Sequence, residues 1–358
     1  MNDEDPVLLL HTAGRIRHIT LNRPRAINAL THTMVLRIDE ALAAAERDDS
    51  ITAVLLSGAG ERGLCAGGDI RAIYEDARAG GSTSVDFWRD EYRLNARIAR
   101  FPKPYVALMD GIVMGGGVGV SAHAGVRIVT ERSRVAMPET GIGFVPDVGG
   151  THLLASAPGE LGTHLALTGD AVGAGDALLC GLADHFVPSE HLVELTRALA
   201  GSATPAEVET TVRRYATTPP AGELAARRDW IDACYAADSV EEIVDRLQNS
   251  GVSAAKETAE TILAKSPTAL KVTLASVRGA RRLGSLEAVL DQEFRVSCAA
   301  FTRPDLVEGV RAQIIDKDRN PQWSPARLAQ VSSADVAGFF EPLGDRELGL
   351  AGDAPATG

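Results

Sequence analysis

Two clusters of glycine carry the residue types and the spacing most able to do chemistry. The first is Cys65-Ala66-Gly67-Gly68-Asp69, and the second is Gly115-Gly116-Gly117-Val118-Gly119. Glycine lets a backbone approach another group closely, and the N–H groups that open a helix have no partner within that helix. If a helix begins after each cluster, two such N–H groups aimed at one point polarise a carbonyl oxygen and stabilise an oxyanion. The alternative is that both clusters are tight turns that only allow close packing.

The second cluster also admits a nucleotide-binding interpretation. Residues 117–122 match the G-x-G-x-x-A pattern of dinucleotide sites, and an acidic residue, Glu139, follows 22 residues after Gly117. That pattern follows its strand directly, whereas residues 110–114 separate these glycines from the strand predicted at 105–109. We therefore expect no dinucleotide site here.

The elements that must position these clusters alternate between strands and helices. Two short strands are predicted on either side of Thr12-Ala13-Gly14, and a helix is predicted to begin after Thr31 as its N-cap. Apolar runs predict further strands at 52–57, 105–109, 126–129 and 134–137. Alternation of this kind favours parallel sheets covered by helices, so the predicted fold class is α/β.

The second half of the chain has a different composition and a different periodicity. After about residue 190 it is rich in Ala, Glu, Arg and Leu at helical spacing, as in VEEIVDRLQNSG, which Gly251 closes. The segment SLEAVLDQEFRVSCAAF is a second such helix. Its apolar positions are Leu286, Val289, Leu290, Phe294 and Val296. We expect a core at 1–190, a helical region for packing and oligomerisation at 191–330, and a partly disordered tail at 331–358.

Composition and charge exclude several classes of protein. The chain has 358 residues, 45% of them hydrophobic, and a formal net charge of −12. A largely disordered chain is excluded, and an acidic balance argues against nucleic acid as a partner. The four cysteines are far apart, which predicts neither a disulfide framework nor a metal site. The acidic N-terminus and the lack of a run of ~20 apolar residues predict a cytoplasmic protein without a membrane partner.

The order of several motifs carries a family resemblance. The segments IRHITLNRPRAINAL, GLCAGGDIRAIYE, VMGGGVGVSAHAGVRIVTE and VAMPETGIGFVPDVGGTHLL resemble the crotonase (enoyl-CoA hydratase/isomerase) superfamily. Within it, CAGGDIR, EYRLN, MPETGIGFVPDVGG, SPTALKVTL and EGVRAQIIDKDRNPQW resemble 3-hydroxyisobutyryl-CoA hydrolases. The resemblance extends from about Pro6 to Leu328. It implies a spiral of ββα units with two roughly perpendicular sheets, followed by a C-terminal helical region used in trimer contacts.

The resemblance also implies how a coenzyme A thioester binds. The two N–H groups of the family's oxyanion hole correspond to Gly68 and Gly116, which together bind the thioester carbonyl. Ala66 corresponds to the position whose backbone contacts adenine, and Arg23 and Arg25 lie in the segment that flanks the nucleotide. Ordinary surface charge is an equally good interpretation of these two arginines. The implied partners are an acyl-CoA substrate and further copies of the chain, as a trimer or a dimer of trimers, with no separate cofactor.

The acidic residues decide between reactions within the superfamily. Hydratases use two glutamates, and their first corresponds here to Gly119, which has no acid–base group. Their second corresponds to Glu139. Asp147 stands eight residues later, across a loop with Gly and Pro, where hydratases often have glycine. Glu91, in EYRLN, is a third acid at a position typical of the hydrolases and is expected to touch the substrate or the Glu139 loop.

This exchange of acids predicts a thioester hydrolase. Glu139 either attacks the polarised carbonyl, forming a mixed anhydride, or activates water for direct attack. Asp147 binds the 3-hydroxyl group of the substrate or orients the water. The leading hypothesis is hydrolysis of 3-hydroxyisobutyryl-CoA in valine catabolism. The alternatives are a hydratase, isomerase or other crotonase reaction, and a non-catalytic acyl-CoA-binding protein.

Overall fold

The structure is a computed structural model that describes residues 6–352. Within these residues the strands form a six-stranded sheet and a three-stranded sheet. The strands are β1 (Leu8–Ala13), β2 (Ile16–Leu21), β3 (Ala53–Gly58), β4 (Gly63–Cys65), β5 (Tyr105–Met109), β6 (Ile112–Met114), β7 (Val126–Val129), β8 (Arg134–Ala136) and β9 (His185–Phe186). The larger sheet has the order β1-β2-β3-β5-β7-β9, and the smaller has the order β4-β6-β8. Only the β1–β2 pair is antiparallel among the strand pairs of this part of the chain.

Helices precede, connect and follow these strands. They are α1 (His32–Arg47), α2 (Ile70–Ala79), α3 (Thr83–Ala99), α4 (Gly116–Gly119), α5 (Gly150–Ala155), α6 (Leu161–Thr168), α7 (Ala174–Leu179), α8 (Leu192–Ala200), α9 (Pro205–Tyr215), α10 (Leu224–Tyr235), α11 (Val240–Asn249), α12 (Ser253–Leu263), α13 (Pro267–Leu283), α14 (Leu286–Phe301), α15 (Pro304–Val310) and α16 (Ser333–Ala337). Short 3₁₀ turns, including Glu139–Ile142, and a π-helical turn at Arg311–Ile315 complete the secondary structure of the described residues. The predicted α/β class and C-terminal helical region are confirmed.

Contacts within the fold divide the chain into two compact units that interleave along the sequence. Of the described residues, the first unit contains 6–68, 93–136 and 172–222, and the second contains 69–92, 137–171 and 223–352. The division by role into 1–190, 191–330 and 331–358 stays a prediction. The predicted frayed end, APATG, lies outside the described residues.

The first unit holds both sheets. All five residues of β5 are buried, as the apolar run YVALM requires of a parallel strand covered on both faces. One face of the large sheet packs against α8 and α9. The buried residues of this core are Ile16, Ala53, Leu55, Val106, Leu108, Val126, Ile128, Val187, Leu195, Leu199, Val208 and Val212. Burial of so much aliphatic surface is the main force that holds these elements together.

The strands predicted from apolar runs are confirmed to within a residue at each end, but three others are missed. The missed strands β4, β6 and β9 have only two or three residues. β6 lies at Ile112–Met114, within the segment 110–114 that separates the strand at 105–109 from the second glycine cluster. β4 and β6 pair in parallel, and each leads directly into one glycine cluster.

The second unit is mainly helical. Trp88 of α3 stacks on Phe144, with ring centroids 5.3 Å apart, and meets Phe301 of α14 edge-on at 5.6 Å. Ser266 and Ser285 cap α13 and α14 by accepting hydrogen bonds from backbone N–H groups of the first turn. These contacts fix α3, α13 and α14, which surround the loops that carry Glu139 and Asp147.

Candidate active site

One group of candidate functional residues consists of the two glycine clusters, which lie side by side in the first unit. A Cβ on Gly117 would stand 2.5 Å from the carbonyl oxygen of Cys65, so only glycine fits there. A Cβ on Gly67 would lie 3.8 Å from the backbone nitrogen of Gly116. The pairing of β4 with β6 therefore brings the ends of both strands to one place.

Two backbone N–H groups are available in these adjoining turns. Gly67 and Gly115 have φ angles of 114° and 50°, which turn the chain sharply before Gly68 and Gly116. No backbone carbonyl among residues 6–352 accepts a hydrogen bond from the N–H of Gly68 or of Gly116. Amide donors of this kind are what a developing oxyanion requires.

The acidic residues form a separate group of candidate functional residues, in the second unit. Glu91 lies within α3, Glu139 begins a 3₁₀ turn, and Asp147 lies in the loop before α5. Their side chains are 1%, 7% and 6% exposed. Burial raises the pKa of Glu91 and of Glu139 well above the usual value, and the nearby charge of Asp147 raises both pKa values further. The structure therefore brings these three acids close together, and their roles in a reaction stay predictions.

Two of these carboxyl groups keep an oxygen atom without a protein partner. Within residues 6–352, Oε1 of Glu91 and Oε2 of Glu139 are buried and make no hydrogen bond. Buried polar atoms of folded proteins are nearly always hydrogen-bonded, and a catalytic role is one of the explanations for an exception. Titratable groups with strongly raised pKa values in a buried cluster are typical of catalytic sites.

Asp147 has a protein partner. The hydroxyl of Tyr92 donates a hydrogen bond to Oδ2 of Asp147 at 2.7 Å, and the same hydroxyl lies 2.7 Å from Oγ of Ser297 on α14. Burial raises the pKa of Asp147 to about 7, although the hydrogen bond from Tyr92 acts in the opposite direction. A group with this pKa exchanges protons readily near neutral pH.

A fourth acid, Glu293 of α14, holds the loop that follows Asp147. Its carboxylate accepts hydrogen bonds from the backbone N–H of Gly149 at 2.6 Å, and from the N–H and hydroxyl of Thr151 at 2.9 and 2.6 Å. Sequence reasoning missed Glu293, Tyr92 and Ser297. A signal for Glu293 was present, because it lies four residues after Val289 and three after Leu290, on the apolar face of its helix.

Comparison with known proteins identifies the family. The model of the family described as enoyl-CoA hydratase/isomerase matches residues 16–340. This chain belongs to that family. It is 42% identical over 351 residues to a protein named 3-hydroxyisobutyryl-CoA hydrolase, mitochondrial, of Danio rerio, covering 96% of this chain and 91% of the relative. The human protein of the same name is 41% identical, covering 95% and 90%.

Solved structures of the same fold include proteins with other names. One is described as a carnitinyl-CoA dehydratase from Mycobacterium thermoresistibile, with 54% identity, a TM-score of 0.92, and coverage of 96% of this chain and 98% of that one. Another is an enoyl-CoA hydratase from Rhodobacter sphaeroides 2.4.1, with 43% identity, a TM-score of 0.88, and coverage of 96% and 99%. The predicted crotonase-like fold is thereby confirmed.

The segment expected to flank the nucleotide is joined to the first glycine cluster. The N–H of Ala66 donates to the carbonyl of Ile27 at 3.0 Å, just after the turn that contains Arg23 and Arg25. The guanidinium of Arg23 donates to the carbonyl of Ala29 at 2.6 Å, whereas Arg25 is exposed. Residues 22–26 line an open concavity. Binding of coenzyme A by Ala66, Arg23 and Arg25 stays a prediction.

The structure gives a better reason to reject a dinucleotide site than the sequence did. A dinucleotide fingerprint opens a full helix whose N-terminus faces the pyrophosphate. Here α4 has four residues, Gly116–Gly119, and turns follow it before β7. Glu139 opens a 3₁₀ turn after β8 and shares its neighbourhood with Asp147.

Proposed function

We propose that this chain hydrolyses the thioester of a short 3-hydroxyacyl-CoA, 3-hydroxyisobutyryl-CoA above all, in valine catabolism. One observation carries the proposal: Glu139 and Asp147 belong to one buried carboxyl cluster, whereas glycine stands at position 119, where a hydratase has its first glutamate. The names of the relatives, at about 40% identity over nearly the whole chain, support the same reaction.

The chemistry requires a polarised carbonyl and a nucleophile. In the proposed reaction the N–H groups of Gly68 and Gly116 donate to the thioester oxygen and stabilise the negative charge that forms on it. Glu139 acts as the nucleophile or as the base that removes a proton from water. Collapse of the tetrahedral intermediate breaks the C–S bond, and coenzyme A leaves as its thiolate.

The two routes differ in the fate of an oxygen atom. Attack by Glu139 forms a mixed anhydride, and if water then attacks the carbonyl carbon of Glu139, hydrolysis in ¹⁸O-water over many turnovers places the label in the Glu139 side chain as well as in the product acid. Direct attack by water, or attack of water on the acyl carbon of the anhydride, places the label in the product alone. Label found by mass spectrometry in the peptide that contains Glu139 would therefore demonstrate the anhydride route.

A second function, hydration or dehydration at the acyl chain, is favoured by the names of the two similar solved structures. Hydratases of the superfamily use two glutamates to position water and move a proton. The position of the first is Gly119 in this chain. Hydration therefore lacks one of its two acid–base groups here, and thiol release is the favoured reaction.

The experiment that tests the proposal measures two products with a panel of acyl-CoA thioesters. A thiol reagent reports hydrolysis, and the absorbance of the conjugated enoyl thioester reports hydration or dehydration. We expect thiol release that is fastest with 3-hydroxyisobutyryl-CoA and that falls by roughly 10²–10⁴-fold in Glu139→Gln. The matched control is Glu190→Gln, whose side chain is 80% exposed. Loss of the enoyl absorbance without thiol would refute the proposal.

The assembly, the location and the absence of a cofactor are also parts of the proposal. Among residues 6–352, none of the helices has the length and the apolar character that a membrane-spanning segment requires. A cytoplasmic location stays a prediction, and the relatives carry the word mitochondrial in their names. We propose a trimer or a dimer of trimers, which light scattering after size exclusion tests. A monomer at micromolar concentration would contradict it.

A further inference from the structure

The residue after Asp147 has a strained backbone. Val148 has a φ angle of 54°, and Gly149, which follows it, has a φ angle of 78°. Glycine adopts such angles freely, whereas a β-branched residue does so only under constraint. Strain of this kind persists only where the surroundings enforce it, and it is most frequent at functional sites.

The turn is closed by a hydrogen bond of 2.6 Å from the N–H of Gly150 to the carbonyl of Asp147, and the segment after Val148 is held by Glu293. Its carboxylate is 1% exposed, and both of its oxygen atoms accept hydrogen bonds from the segment just after Val148. Burial of a carboxyl is unfavourable, and an apolar side chain would suit this face of α14 better for packing alone. The cost is explained if the hydrogen bonds to Gly149 and Thr151 hold the loop in place.

The same helix reaches the side chain of Asp147. Ser297 lies one helical turn after Glu293 and contacts the Tyr92 hydroxyl, which donates to Oδ2 of Asp147. Helix α14 thus acts on Asp147 at two points. Glu293 restrains the backbone that follows it, and Ser297 restrains its carboxylate through Tyr92.

We propose that Glu293 is a positioning residue for thioester hydrolysis, which holds Asp147 in its working orientation by enforcing the left-handed turn at Val148. The inference rests on the proposed function, because it requires Asp147 to act in the reaction. Glu293 touches no substrate in this role; it acts through the loop.

The first test is a double-mutant cycle measured as kcat/KM for 3-hydroxyisobutyryl-CoA. We expect Glu293→Gln to reduce kcat/KM by about 10- to 100-fold, and Asp147→Ala to reduce it by a similar or larger factor. If Glu293 acts through Asp147, adding Glu293→Gln to Asp147→Ala lowers kcat/KM by less than about a further twofold. Multiplication of the two losses would show that Glu293 acts independently of Asp147, and would overturn the proposal.

The second test is rescue by relief of strain. Glycine at position 148 adopts the left-handed conformation without enforcement, so Val148→Gly added to Glu293→Gln is expected to recover at least fivefold of the lost activity. Val145→Gly is the matched control, since Val145 is 1% exposed in the same loop and has no positive φ. Equal recovery by both glycines, or recovery by neither, would contradict the proposal.

Two further measurements keep the outcome decisive. If Glu293→Gln does not fold, Thr151→Val removes one of the three hydrogen bonds and takes its place in both tests. If the wild-type protein releases no thiol, the proposed function has failed. The midpoint of thermal unfolding then tests the coupling between Glu293 and Val148 without any measurement of activity. The proposal requires that Glu293→Gln lowers this midpoint less in the Val148→Gly protein than in the wild type. Equal destabilisation would overturn the role of Glu293 independently of the reaction.

Discussion

At the scale of single residues, Asp147 is subject to two opposing influences. Burial raises its pKa to about 7, while the hydrogen bond from Tyr92 stabilises its charged form and lowers the pKa. The same charge raises the pKa of Glu91 and of Glu139. The protonation state of Asp147 therefore affects each of the other acids predicted to meet the substrate.

Tyr92→Phe tests this balance. The substitution removes the hydrogen bond that stabilises the charged form of Asp147, so the pKa of Asp147 rises. As the pH falls, activity that requires the ionised form is then lost at a higher pH than in the wild type. We expect the acidic limb of the profile of kcat/KM against pH to move upward by about one to two units. The side chains of Glu91, Glu139 and Glu293, which face the same cluster, are all present in this variant.

Tyr105→Phe is the control for the loss of a buried phenol. Tyr105 is 1% exposed, and its hydroxyl donates to the carbonyl of Val120. We expect its pH profile to match that of the wild type even if stability falls. An acidic limb that does not move in Tyr92→Phe, or that moves equally in both variants, would show that Tyr92 does not tune Asp147.

Asp147→Ala distinguishes the two roles proposed for this residue. If Asp147 recognises the 3-hydroxyl group, the loss with 3-hydroxyisobutyryl-CoA exceeds the loss with isobutyryl-CoA by roughly 10- to 100-fold, the worth of a hydrogen bond to a charged group. We expect this result from kcat/KM for the matched pair of thioesters. Equal losses with the two thioesters would indicate that Asp147 orients the water instead.

Sequence reasoning found the acids but not the residues that hold them. Glu139, Asp147 and Glu91 stand in recognisable motifs, and the structure brings them together. Tyr92, Ser297 and Glu293 come from two helices far apart in the chain, and no local spacing relates them to Asp147. Their role depends on tertiary packing, which periodicity does not encode.

At the scale of elements, the small sheet β4-β6-β8 positions the glycine clusters. Its strands have three residues each; β8 was predicted from its apolar run, whereas β4 and β6 are too short for alternation to be distinguished from a loop. Strands β3 and β5 were predictable because their apolar runs report burial on both faces. The glycines themselves indicated a close backbone approach, and the contact between Gly117 and Cys65 is that approach.

Gly117→Ala tests this contact. The added methyl group meets the Cys65 carbonyl, so α4 and β4 must separate, and we expect a loss of stability of about 1–3 kcal/mol with a fall in thiol release of at least tenfold. Gly125→Ala is the matched control, because a Cβ there has no neighbour within 4 Å. The midpoint of thermal unfolding and kcat are measured for both variants. Wild-type activity in Gly117→Ala would show that these turns take no part in the reaction.

At the scale of the whole molecule, a buried group of four acids is a cost to the fold. Burial raises the pKa of Glu91, Glu139, Asp147 and Glu293, the last to about 8. Ionising any of them in the folded protein is harder than in the unfolded chain. Nothing in the aliphatic cores of the fold requires such a cluster, so its presence is explained by chemistry rather than by stability.

Glu139→Gln should therefore stabilise the protein while it removes activity. The usual pKa of glutamate is 4.5, and the folded protein raises it. Between these two values the unfolded chain releases its proton first, so stability falls as the pH rises, by about 1.4 kcal/mol for each unit of pKa shift, and remains lower above the raised value. Glutamine has no such proton to release.

The midpoint of thermal unfolding at pH 5 and pH 8 measures this effect. We expect the unfolding midpoint of Glu139→Gln to exceed that of the wild type by more at pH 8 than at pH 5. The reason is that at pH 5 the wild-type side chain is still protonated in the folded protein. Glu190→Gln controls for removal of one exposed carboxylate. A difference between Glu139→Gln and the wild type that is the same at both pH values would mean that Glu139 ionises as easily in the fold as in the unfolded chain. That result would leave it without the raised pKa of a group poised for proton transfer, because the free energy that shifts the pKa is the same free energy that the fold loses.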